Sequence, residues 1–311
     1  MAGKWTAADI PDQTGRLAVV TGANSGLGLI TAQELARAGA NVVIACRNLG
    51  KGEQAANQIR RSVPAAKLDL RELDLADLSS VSAFADNLHS EHGTLDLLVN
   101  NAGVMAPPRR LTRDGFESQI GTNHLGHFAL TGRLLDQLLA APEPRVVTLS
   151  SGAHRLGKIS FKDLQSEHGY NNWRAYGQSK LANLMFCFEL QRRATEAGVA
   201  LRSVAAHPGY AATNLQFAGP SRFYEKAIMG VANKVIAQSA EMGALPTLYA
   251  ATADVPGGSF VGPDGFMEQR GYPRVVTGAG KSYDEEIWRK LWERSEELTG
   301  VSYEFSQPSA V

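Results

Sequence analysis

A tyrosine and a lysine four residues apart are the first side chains in this sequence that could carry out chemistry. Tyr176 and Lys180 stand in the stretch RAYGQSKLANLMF, whose apolar spacing predicts an amphipathic helix. Residues four apart share a face of a helix, so the Lys180 ammonium would stand one turn from the phenol. A free tyrosine has a pKa of about 10, and a neighbouring positive charge favours the phenolate. The pair predicts a general acid/base, with ordinary stacking on a helix as the alternative.

A glycine-rich turn follows the first predicted strand. The sequence VVTGANSGLG puts Gly22, Gly26 and Gly28 between an apolar strand at 16–22 and a helix predicted at 30–38. Glycines at such a turn let the backbone approach a pyrophosphate, and the N-terminus of the following helix attracts its charge. The turn therefore predicts a dinucleotide site, with an ordinary tight bend as the alternative. The other residues of the turn expected at this site are Asn24, Ser25 and Leu27.

The end of the second predicted strand indicates which dinucleotide binds. A site for NAD generally has a carboxylate roughly 20 residues after the glycines, where it binds the ribose 2′-hydroxyl. Here the strand ends in IACRN, with Cys46 and Arg47 and no acidic residue. A guanidinium pairs with a phosphate through two hydrogen bonds. Arg47, with Lys51 nearby to share the role, therefore predicts NADP(H) rather than NAD(H). A solvated arginine at a helix start is the alternative.

The elements that position these groups alternate between strands and helices. Short runs rich in β-branched residues are apolar on both faces, which is typical of parallel strands covered on both sides. Amphipathic stretches lie between them, and the alternation predicts an α/β fold, a Rossmann-type doubly wound parallel sheet in a single domain. The predicted strands lie at 16–22, 41–47, 95–101, 145–151 and 200–208. The predicted helices lie at 30–38, 79–91, 115–139 and 176–196.

The pattern changes after Pro208. Residues 214–239 contain several aromatic side chains and no strand pattern, which predicts a partly helical substrate lid. A last strand is expected near 259–261, and residues 284–298 predict an amphipathic C-terminal helix that packs into the core. The apolar stripe of that helix is Ile287, Trp288, Leu291 and Trp292. We therefore divide the chain into an N-terminal extension at 1–14, a Rossmann-fold domain at 15–275, and a C-terminal helix and tail at 276–311.

Composition limits the classes of function and the cellular setting. Of the 311 residues, 44% are hydrophobic and 20% are charged, which is typical of a folded globular chain. Lysine plus arginine equals aspartate plus glutamate at 31 each, so no overall charge attracts nucleic acid. The two cysteines, Cys46 and Cys187, are far apart in the sequence and predict reduced thiols. The sequence contains no recognisable secretion signal and no transmembrane stretch, so we expect a cytoplasmic protein.

Together these motifs resemble the short-chain dehydrogenase/reductase family over about residues 15–265. The likeness rests on TGANSGLG at 21–28, Asp74, NNAG at 100–103, Asn123, Ser151, YGQSK at 176–180 and HPGYAAT at 207–213. Seven pieces in the right order over most of the chain make the resemblance specific. The chain resembles in particular the branch of retinol dehydrogenases and protochlorophyllide reductases, through NSGLG, ACRN, NHLGHF, SKLAN and VGPDGF.

The resemblance implies roles for four side chains in hydride transfer between a carbonyl and an alcohol. Tyr176 would act as general acid/base, and Lys180 would support it and bind the nicotinamide ribose. Ser151 ends a predicted strand and would donate a hydrogen bond to the substrate oxygen as negative charge develops. Ser150 is the alternative, because neighbours on a strand point to opposite faces. Asn123 is implied to hold the helix and the water that link Lys180 to solvent.

The same resemblance implies further contacts to the cofactor. Asp74 would accept a hydrogen bond from the adenine amino group, with a helix N-cap as the alternative role. Thr213 would reach the nicotinamide carboxamide, with a turn that touches no ligand as the alternative. The remaining residues expected to contact the cofactor are Leu75, Asn101, Ala102, Gly103, Pro208 and Gly209.

The sequence thus predicts an NADP(H)-dependent oxidoreductase that interconverts a carbonyl and an alcohol on a small molecule. A non-catalytic NADP(H)-binding sensor and a reductase of a carbon–carbon double bond are the alternatives. His124 and His127 lack a carboxylate or cysteine to complete a cluster, so they do not predict a metal site. The resemblance leaves open a homo-oligomer that pairs through the helices at 115–139 and 176–196. Residues of the predicted lid that favour an apolar substrate are Phe217, Phe223, Tyr224, Ile228 and Met229.

Overall fold

One mostly parallel sheet organises the protein. The structure is a computed structural model that describes residues 4–210 and 239–305. Within these residues the strands are β1 (Leu17–Thr21), β2 (Asn41–Cys46), β3 (Lys67–Glu72), β4 (Leu97–Asn100), β5 (Arg145–Leu149), β6 (Arg202–Ala206), β7 (Phe260–Pro263) and β8 (Pro273–Val275). Their order across the sheet is β3-β2-β1-β4-β5-β6-β7-β8, and of these neighbours β7 and β8 pair antiparallel. The predicted doubly wound α/β fold is confirmed.

Helices cover both faces of the sheet. Successive residues of β1 face two separate cores, since Val19 belongs to one apolar cluster and Ala18 and Val20 belong to the other. This arrangement explains why the strand is apolar on both faces. The α-helices in the described residues are α1 (Gly26–Arg37), α2 (Leu49–Ser62), α3 (Leu78–Glu91), α4 (Ser118–Ile120), α5 (Gly126–Arg133), α6 (Leu135–Leu139), α7 (Asn172–Glu196), α8 (Ala240–Thr252) and α9 (Glu285–Thr299).

The strand order opens a crevice at the centre of the sheet. From β1 the chain moves outward through β2 to β3, and it then returns to β4 on the other side of β1. The loops that follow β1 and β4 therefore leave the sheet in opposite directions. Open α/β sheets bind ligands outside the carboxyl ends of the strands at such a reversal.

The prediction of one continuous helix at 115–139 is wrong. The chain instead forms α4, a π-helical turn at Gly121–Leu125, then α5 and α6, which are separated by Leu134. A π-turn inserts one residue into a helix without breaking its apolar face, so the sequence period does not reveal it. The helix predicted at 176–196 is present as α7 but begins earlier, at Asn172, with Asn171 as its N-cap.

The edge strand β3 was not predicted. Its sequence KLDLRE alternates polar and apolar residues, and none of its residues is fully buried. The edge position leaves one side of β3 without a neighbouring strand, so the strand lacks the continuous apolar run of the inner ones. The last predicted strand, near 259–261, is present as β7.

The C-terminal helix packs into the core as predicted. Trp292 of α9 stacks on Phe186 of α7 with ring centres 5.7 Å apart, and it meets Phe128 of α5 at 5.0 Å. The helix thus contacts α5 and α7, which belong to the segments through which the resemblance leaves a homo-oligomer open. The predicted lid at 214–239, apart from Ser239, lies outside the described residues, as does Thr213.

Candidate active site

One cavity of about 1110 Å³ lies at the carboxyl ends of the central strands. It occupies the crevice where the strand order reverses, and it brings together segments that lie far apart in the sequence. Among the predicted site residues that the structure describes, Asn123 is the one that does not line it. The predicted residues in its wall are Gly22, Asn24, Ser25, Gly26, Leu27, Gly28, Arg47, Asp74, Leu75, Asn101, Ala102, Gly103, Ser151, Tyr176, Lys180, Pro208 and Gly209.

The glycine-rich turn after β1 packs tightly against the loop after β4. A Cβ atom at Gly28 would lie 2.5 Å from the Asn101 side-chain nitrogen and 2.6 Å from the carbonyl oxygen of Gly22. The Asn101 amide is fixed there because it donates a hydrogen bond to the carbonyl oxygen of Thr21 at 2.7 Å. Gly22 itself has a φ of 66°, which favours glycine. The glycines are therefore needed for the close approach of these two loops.

The N-terminus of α1 opens into this cavity. The helix begins at Gly26, and within the described part of the chain its N-cap residue, Ser25, makes no side-chain capping bond. In contrast, Asp77 caps α3 through its carboxylate. The first amide N–H groups of α1 are thus available to a ligand, and the helix dipole favours an anion there. The turn fits the pyrophosphate of a dinucleotide.

Arg47 lies at the rim of the cavity, directly after β2. Its side chain is exposed and makes no hydrogen bond or ion pair with any residue in the described ranges. The next residue, Asn48, caps α2 by accepting a hydrogen bond from the Lys51 backbone amide at 2.9 Å. The guanidinium is therefore not committed to another group in the described part of the protein. It is available to a phosphate at this edge.

Tyr176 and Ser151 are neighbours in the wall of the cavity. Burial raises the pKa of Tyr176 above its ordinary value, and the neighbouring Ser151 hydroxyl acts in the opposite direction. Lys180 lies one turn along α7, with its ammonium 5.9 Å from the centre of the Tyr176 ring. Burial also lowers the pKa of Lys180 to about 8. The pKa of Tyr176 is therefore raised in this structure, whereas the sequence predicts that Lys180 together with oxidised nicotinamide favours the phenolate.

The two candidate serines have different partners. Ser150 is buried, and its hydroxyl donates a hydrogen bond to the backbone carbonyl of Lys180 at 2.8 Å. Ser151 instead begins the short 3-10 helix Gly152–Arg155, and its hydroxyl accepts a hydrogen bond from the Ala153 amide at 3.2 Å. Both serines line the cavity, but the Ser150 hydroxyl is bound to α7, so Ser151 is the serine whose hydroxyl can contact a substrate oxygen beside Tyr176.

Asn123 lies behind the cavity wall, inside the π-turn Gly121–Leu125. Its side-chain oxygen accepts a hydrogen bond from the Val104 amide at 2.8 Å, and its nitrogen donates to the Val104 carbonyl at 2.9 Å. The same nitrogen also donates to the Ser179 hydroxyl at 2.9 Å. Asn123 thereby joins the loop after β4 to α7. A Cβ atom at Gly103 would lie 3.1 Å from the Asn123 oxygen and 3.5 Å from the Lys180 nitrogen, so Gly103 separates the two.

Asp74 is not the N-cap of a helix. The α3 helix begins at Leu78, and its cap is Asp77, whose carboxylate accepts hydrogen bonds from the amides of Ser79 and Ser80. Asp74 accepts a local bond from the Ala76 amide, at 3.0 Å, and the residue lines the cavity. The alternative role predicted for Asp74 is therefore wrong, because a second aspartate three residues later takes it.

Sequence reasoning missed the side of the cavity rim between β7 and β8, where Met267 lines the cavity. Trp173, which meets the Tyr176 ring edge-on at 6.2 Å, also lines the cavity. Met267 and Glu268 both have left-handed backbone angles, with φ of 51° and 57°. The Glu268 carboxylate accepts hydrogen bonds from Arg155 at 3.2 Å and pairs with His207 at 3.1 Å. The motif VGPDGF precedes this segment, but contacts between such distant residues leave no periodic signal.

The described residues include no helix that is both long and apolar enough to cross a bilayer. This observation applies to residues 4–210 and 239–305.

The chain is similar over most of its length to proteins of known sequence and structure. The profile of a family described as short chain dehydrogenase matches residues 16–219. Retinol dehydrogenase 13 from Homo sapiens is 42% identical over 294 residues, which cover 92% of this chain and 85% of that protein. The crystal structure of an uncharacterized protein from Mycobacterium Paratuberculosis is 48% identical, with a TM-score of 0.82, and covers 97% of this chain and 100% of that one.

A third relative contains a cofactor. It is a candidate NAD(P)-dependent gluconate 5-dehydrogenase from Beutenbergia cavernae, whose crystal structure has NADP bound at low occupancy. It is 26% identical with a TM-score of 0.61, and the match covers 78% of this chain and 91% of that one.

Proposed function

The chain belongs to the short chain dehydrogenase family, and from this we propose that it is an NADP(H)-dependent enzyme that interconverts an apolar carbonyl compound and its alcohol. The family consists of oxidoreductases that bind a nicotinamide dinucleotide. One observation carries the proposal: Tyr176, Ser151 and Lys180 line the same cavity as the N-terminus of α1, whose N-cap residue makes no side-chain capping bond within the described residues.

The residues that would hold the cofactor are those of the loops after β1, β3 and β4. The pyrophosphate would bind at the N-terminus of α1, where Ser25, Gly26 and Leu27 line the cavity. Asp74 and Leu75 would bind the adenine, and Asn101, Ala102 and Gly103 would contact the adenosine ribose. These residues fit the group because the backbone comes close to the cavity at the glycines and the helix end has no competing cap.

Arg47 supports the phosphorylated form of the cofactor. No acidic residue stands at the end of β2, and the Arg47 guanidinium is free to pair with a 2′-phosphate through two hydrogen bonds. The bound NADP in the gluconate 5-dehydrogenase relative is consistent with this preference.

The chemistry divides between the cofactor and four side chains. When bound, NADPH supplies the hydride. Tyr176 gives its proton to the substrate oxygen as the alkoxide develops, and takes it back when the alcohol is oxidised. Ser151 donates a hydrogen bond to the same oxygen and stabilises its negative charge. The buried Lys180 supplies positive charge near the phenol, and Asn123 fixes α7 against the loop after β4.

The apolar rim supports an apolar substrate. Trp173 and Met267 line the cavity and remain 48% and 73% exposed, an arrangement that leaves two large apolar side chains for a ligand to cover. Burying a side chain of this size against a ligand stabilises the complex by about 1.5–3 kcal/mol. The names of the retinol dehydrogenase relatives agree with such a substrate.

Oxidation of NADPH by the purified protein tests the proposal. A panel should pair long-chain aldehydes, ketones and enones with short-chain counterparts of each class. We expect turnover of long-chain carbonyl compounds at a higher kcat/KM than their short-chain counterparts. Reduction of the enones alone would favour the double-bond reductase instead. Tight binding of NADPH without turnover of any compound would contradict the enzymatic proposal and favour the sensor.

A further inference from the structure

A buried histidine outside the predicted site connects two parts of it. His127 lies in α5 and is 1% exposed. One ring nitrogen, Nδ1, lies 2.9 Å from the backbone carbonyl oxygen of Asn123. The other, Nε2, lies 2.9 Å from the hydroxyl of Thr21, the last residue of β1. The imidazole therefore bridges the π-turn and the strand that precedes the glycine-rich turn.

The protons in this chain of bonds have one consistent arrangement. Burial lowers the pKa of His127 to about 3, so its ring is neutral and carries a single N–H. A carbonyl oxygen can only accept, so the N–H stands on Nδ1 and points to Asn123. Nε2 must then accept, and the Thr21 hydroxyl is its donor. A longer contact of that hydroxyl with the Val99 carbonyl, at 3.3 Å, is the weaker alternative.

The direction of the Thr21 hydroxyl matters for the loop that follows β4. The Thr21 oxygen accepts hydrogen bonds from the backbone amides of Asn101 and Ala102, each at 2.9 Å. With its own proton given to His127, the oxygen keeps its lone pairs for these two amides. Thus His127 holds Thr21 in the orientation that shapes the loop beside the adenosine ribose site.

At its other end the histidine fixes the backbone of Asn123. The π-turn alters the regular carbonyl-to-amide pattern around this residue, and the side chain of Asn123 is already committed to Val104 and Ser179. The Nδ1–H of His127 binds the backbone carbonyl of the same residue. Since Asn123 joins the loop after β4 to α7, its backbone position determines how Lys180 and Tyr176 meet that loop.

We propose that His127 is a positioning residue that couples the cofactor loop to the catalytic helix through two hydrogen bonds, one to Thr21 and one to Asn123. This inference rests on the proposed function and extends it to a residue that does not line the cavity. The hydrogen bond between Nε2 and Thr21 supports cofactor binding, and the hydrogen bond between Nδ1 and Asn123 supports the catalytic step. The two effects can be tested separately because each uses a different nitrogen.

Each of two substitutions keeps one of the two hydrogen bonds of His127. In His127→Asn, the side-chain amide nitrogen stands where Nδ1 stood and donates to Asn123, but the Thr21 hydroxyl loses Nε2 as its acceptor and keeps only the longer contact with the Val99 carbonyl among the described residues. In His127→Gln, the longer side chain accepts from Thr21 and the donor to Asn123 is lost. His124→Gln is the matched control, because His124 is equally buried in the π-turn but binds Ser295 of α9.

The measurements are the NADPH dissociation constant, kcat for a carbonyl substrate, and the midpoint of thermal unfolding. We expect His127→Asn to weaken NADPH binding about tenfold with kcat nearly unchanged, the effect of one lost buried hydrogen bond. We expect His127→Gln to lower kcat about tenfold with NADPH affinity nearly unchanged. His124→Gln is expected to lower the unfolding midpoint and to leave both constants unchanged.

The coupling role would be overturned if the two His127 variants showed the same change in NADPH affinity and the same change in kcat. It would also be overturned if their changes matched those of His124→Gln. Should the His127 variants fail to fold, Thr21→Val tests the same chain from its other end, with Thr21→Ser as the control that keeps the hydroxyl. Unchanged NADPH affinity in Thr21→Val would equally overturn it. If the unmodified protein binds NADPH but reduces no carbonyl, the proposed function fails, whereas a difference in NADPH affinity between His127→Asn and His127→Gln still supports the coupling.

Discussion

The hydroxyl of Ser150 donates a hydrogen bond to the backbone carbonyl of Lys180 at 2.8 Å, and this contact commits Ser150 to the structure of α7. The neighbouring Ser151 lines the cavity beside Tyr176, where its hydroxyl can contact a substrate oxygen. We expect Ser151→Ala to lower kcat by about 10²–10³-fold, as does the loss of a donor to a developing oxyanion. Steady-state reduction of the best carbonyl substrate measures this.

The serine pair supplies its own control. Ser150→Ala removes a buried hydrogen bond without touching the Tyr176–Ser151 pair, so it should lower the free energy of unfolding by about 1–3 kcal/mol with kcat of the folded protein largely kept. If Ser150→Ala abolished turnover and Ser151→Ala did not, the assignment of the two serines would be reversed.

Arg47 provides the test of cofactor preference. We expect Arg47→Ala to weaken NADPH binding by about 10–100-fold, because a charge-assisted hydrogen bond contributes about 1.5–3 kcal/mol. NADH has no 2′-phosphate, so its dissociation constant should change little. Titration of both cofactors against Arg47→Ala, with Lys51→Ala measured in parallel, checks this. Equal losses for NADPH and NADH in Arg47→Ala would show that Arg47 does not meet the 2′-phosphate.

Gly28 tests the packing of the two loops. A Cβ atom there would lie 2.5 Å from the Asn101 side-chain nitrogen and 2.6 Å from the Gly22 carbonyl oxygen. We expect Gly28→Ala to lower the free energy of unfolding by about 1–3 kcal/mol, the usual cost of overpacking, and to weaken NADPH binding.

Gly93→Ala is the control for this substitution, because a Cβ atom at Gly93 would meet no atom within 4 Å. Chemical denaturation and NADPH titration of both variants give the comparison. Wild-type affinity in Gly28→Ala would mean that the turn does not carry the pyrophosphate.

The lowered pKa of Lys180 predicts that the free energy of unfolding depends on pH. Its pKa falls from 10.5 to about 8 because the ammonium is buried. Between these values the unfolded chain binds a proton that the folded chain does not, so this group makes the folded state more stable as pH rises from about 8 to about 10.5. In Lys180→Met that contribution is absent.

The stability advantage of Lys180→Met over the unmodified protein should therefore be largest below pH 8 and shrink by an amount on the order of 3 kcal/mol through this window. Urea denaturation of both proteins across the pH range measures the difference, in which other titrating groups cancel. A constant difference across the window would contradict the lowered pKa.

Much of the fold is readable from the sequence because burial on both faces leaves a simple pattern. The apolar runs of β1, β2 and β5 and the glycines after β1 predict the central sheet and its crevice. The edge strand β3 and the π-turn at Asn123 leave no such pattern, since one is half exposed and the other adds a single residue inside a helix.

The candidate site divides in the same way. Residues such as Tyr176, Ser151 and Gly28 belong to short motifs that can be recognised in the sequence. The structure gathers them into one cavity. The contact of His127 with Thr21 joins residues 106 positions apart, and the Glu268–Arg155 pair joins residues 113 positions apart. No periodicity in the sequence encodes such contacts, because they depend on how the elements pack.

Replacement of Tyr176 by phenylalanine tests the central claim most directly. The substitution removes one hydroxyl and keeps the ring, its edge-on contact with Trp173 and its place on α7. Because the hydroxyl is needed only as the proton moves, we predict that Tyr176→Phe binds NADPH nearly as tightly as the unmodified protein and loses turnover by at least about 10²-fold. Turnover close to that of the unmodified protein would contradict Tyr176 as the general acid/base.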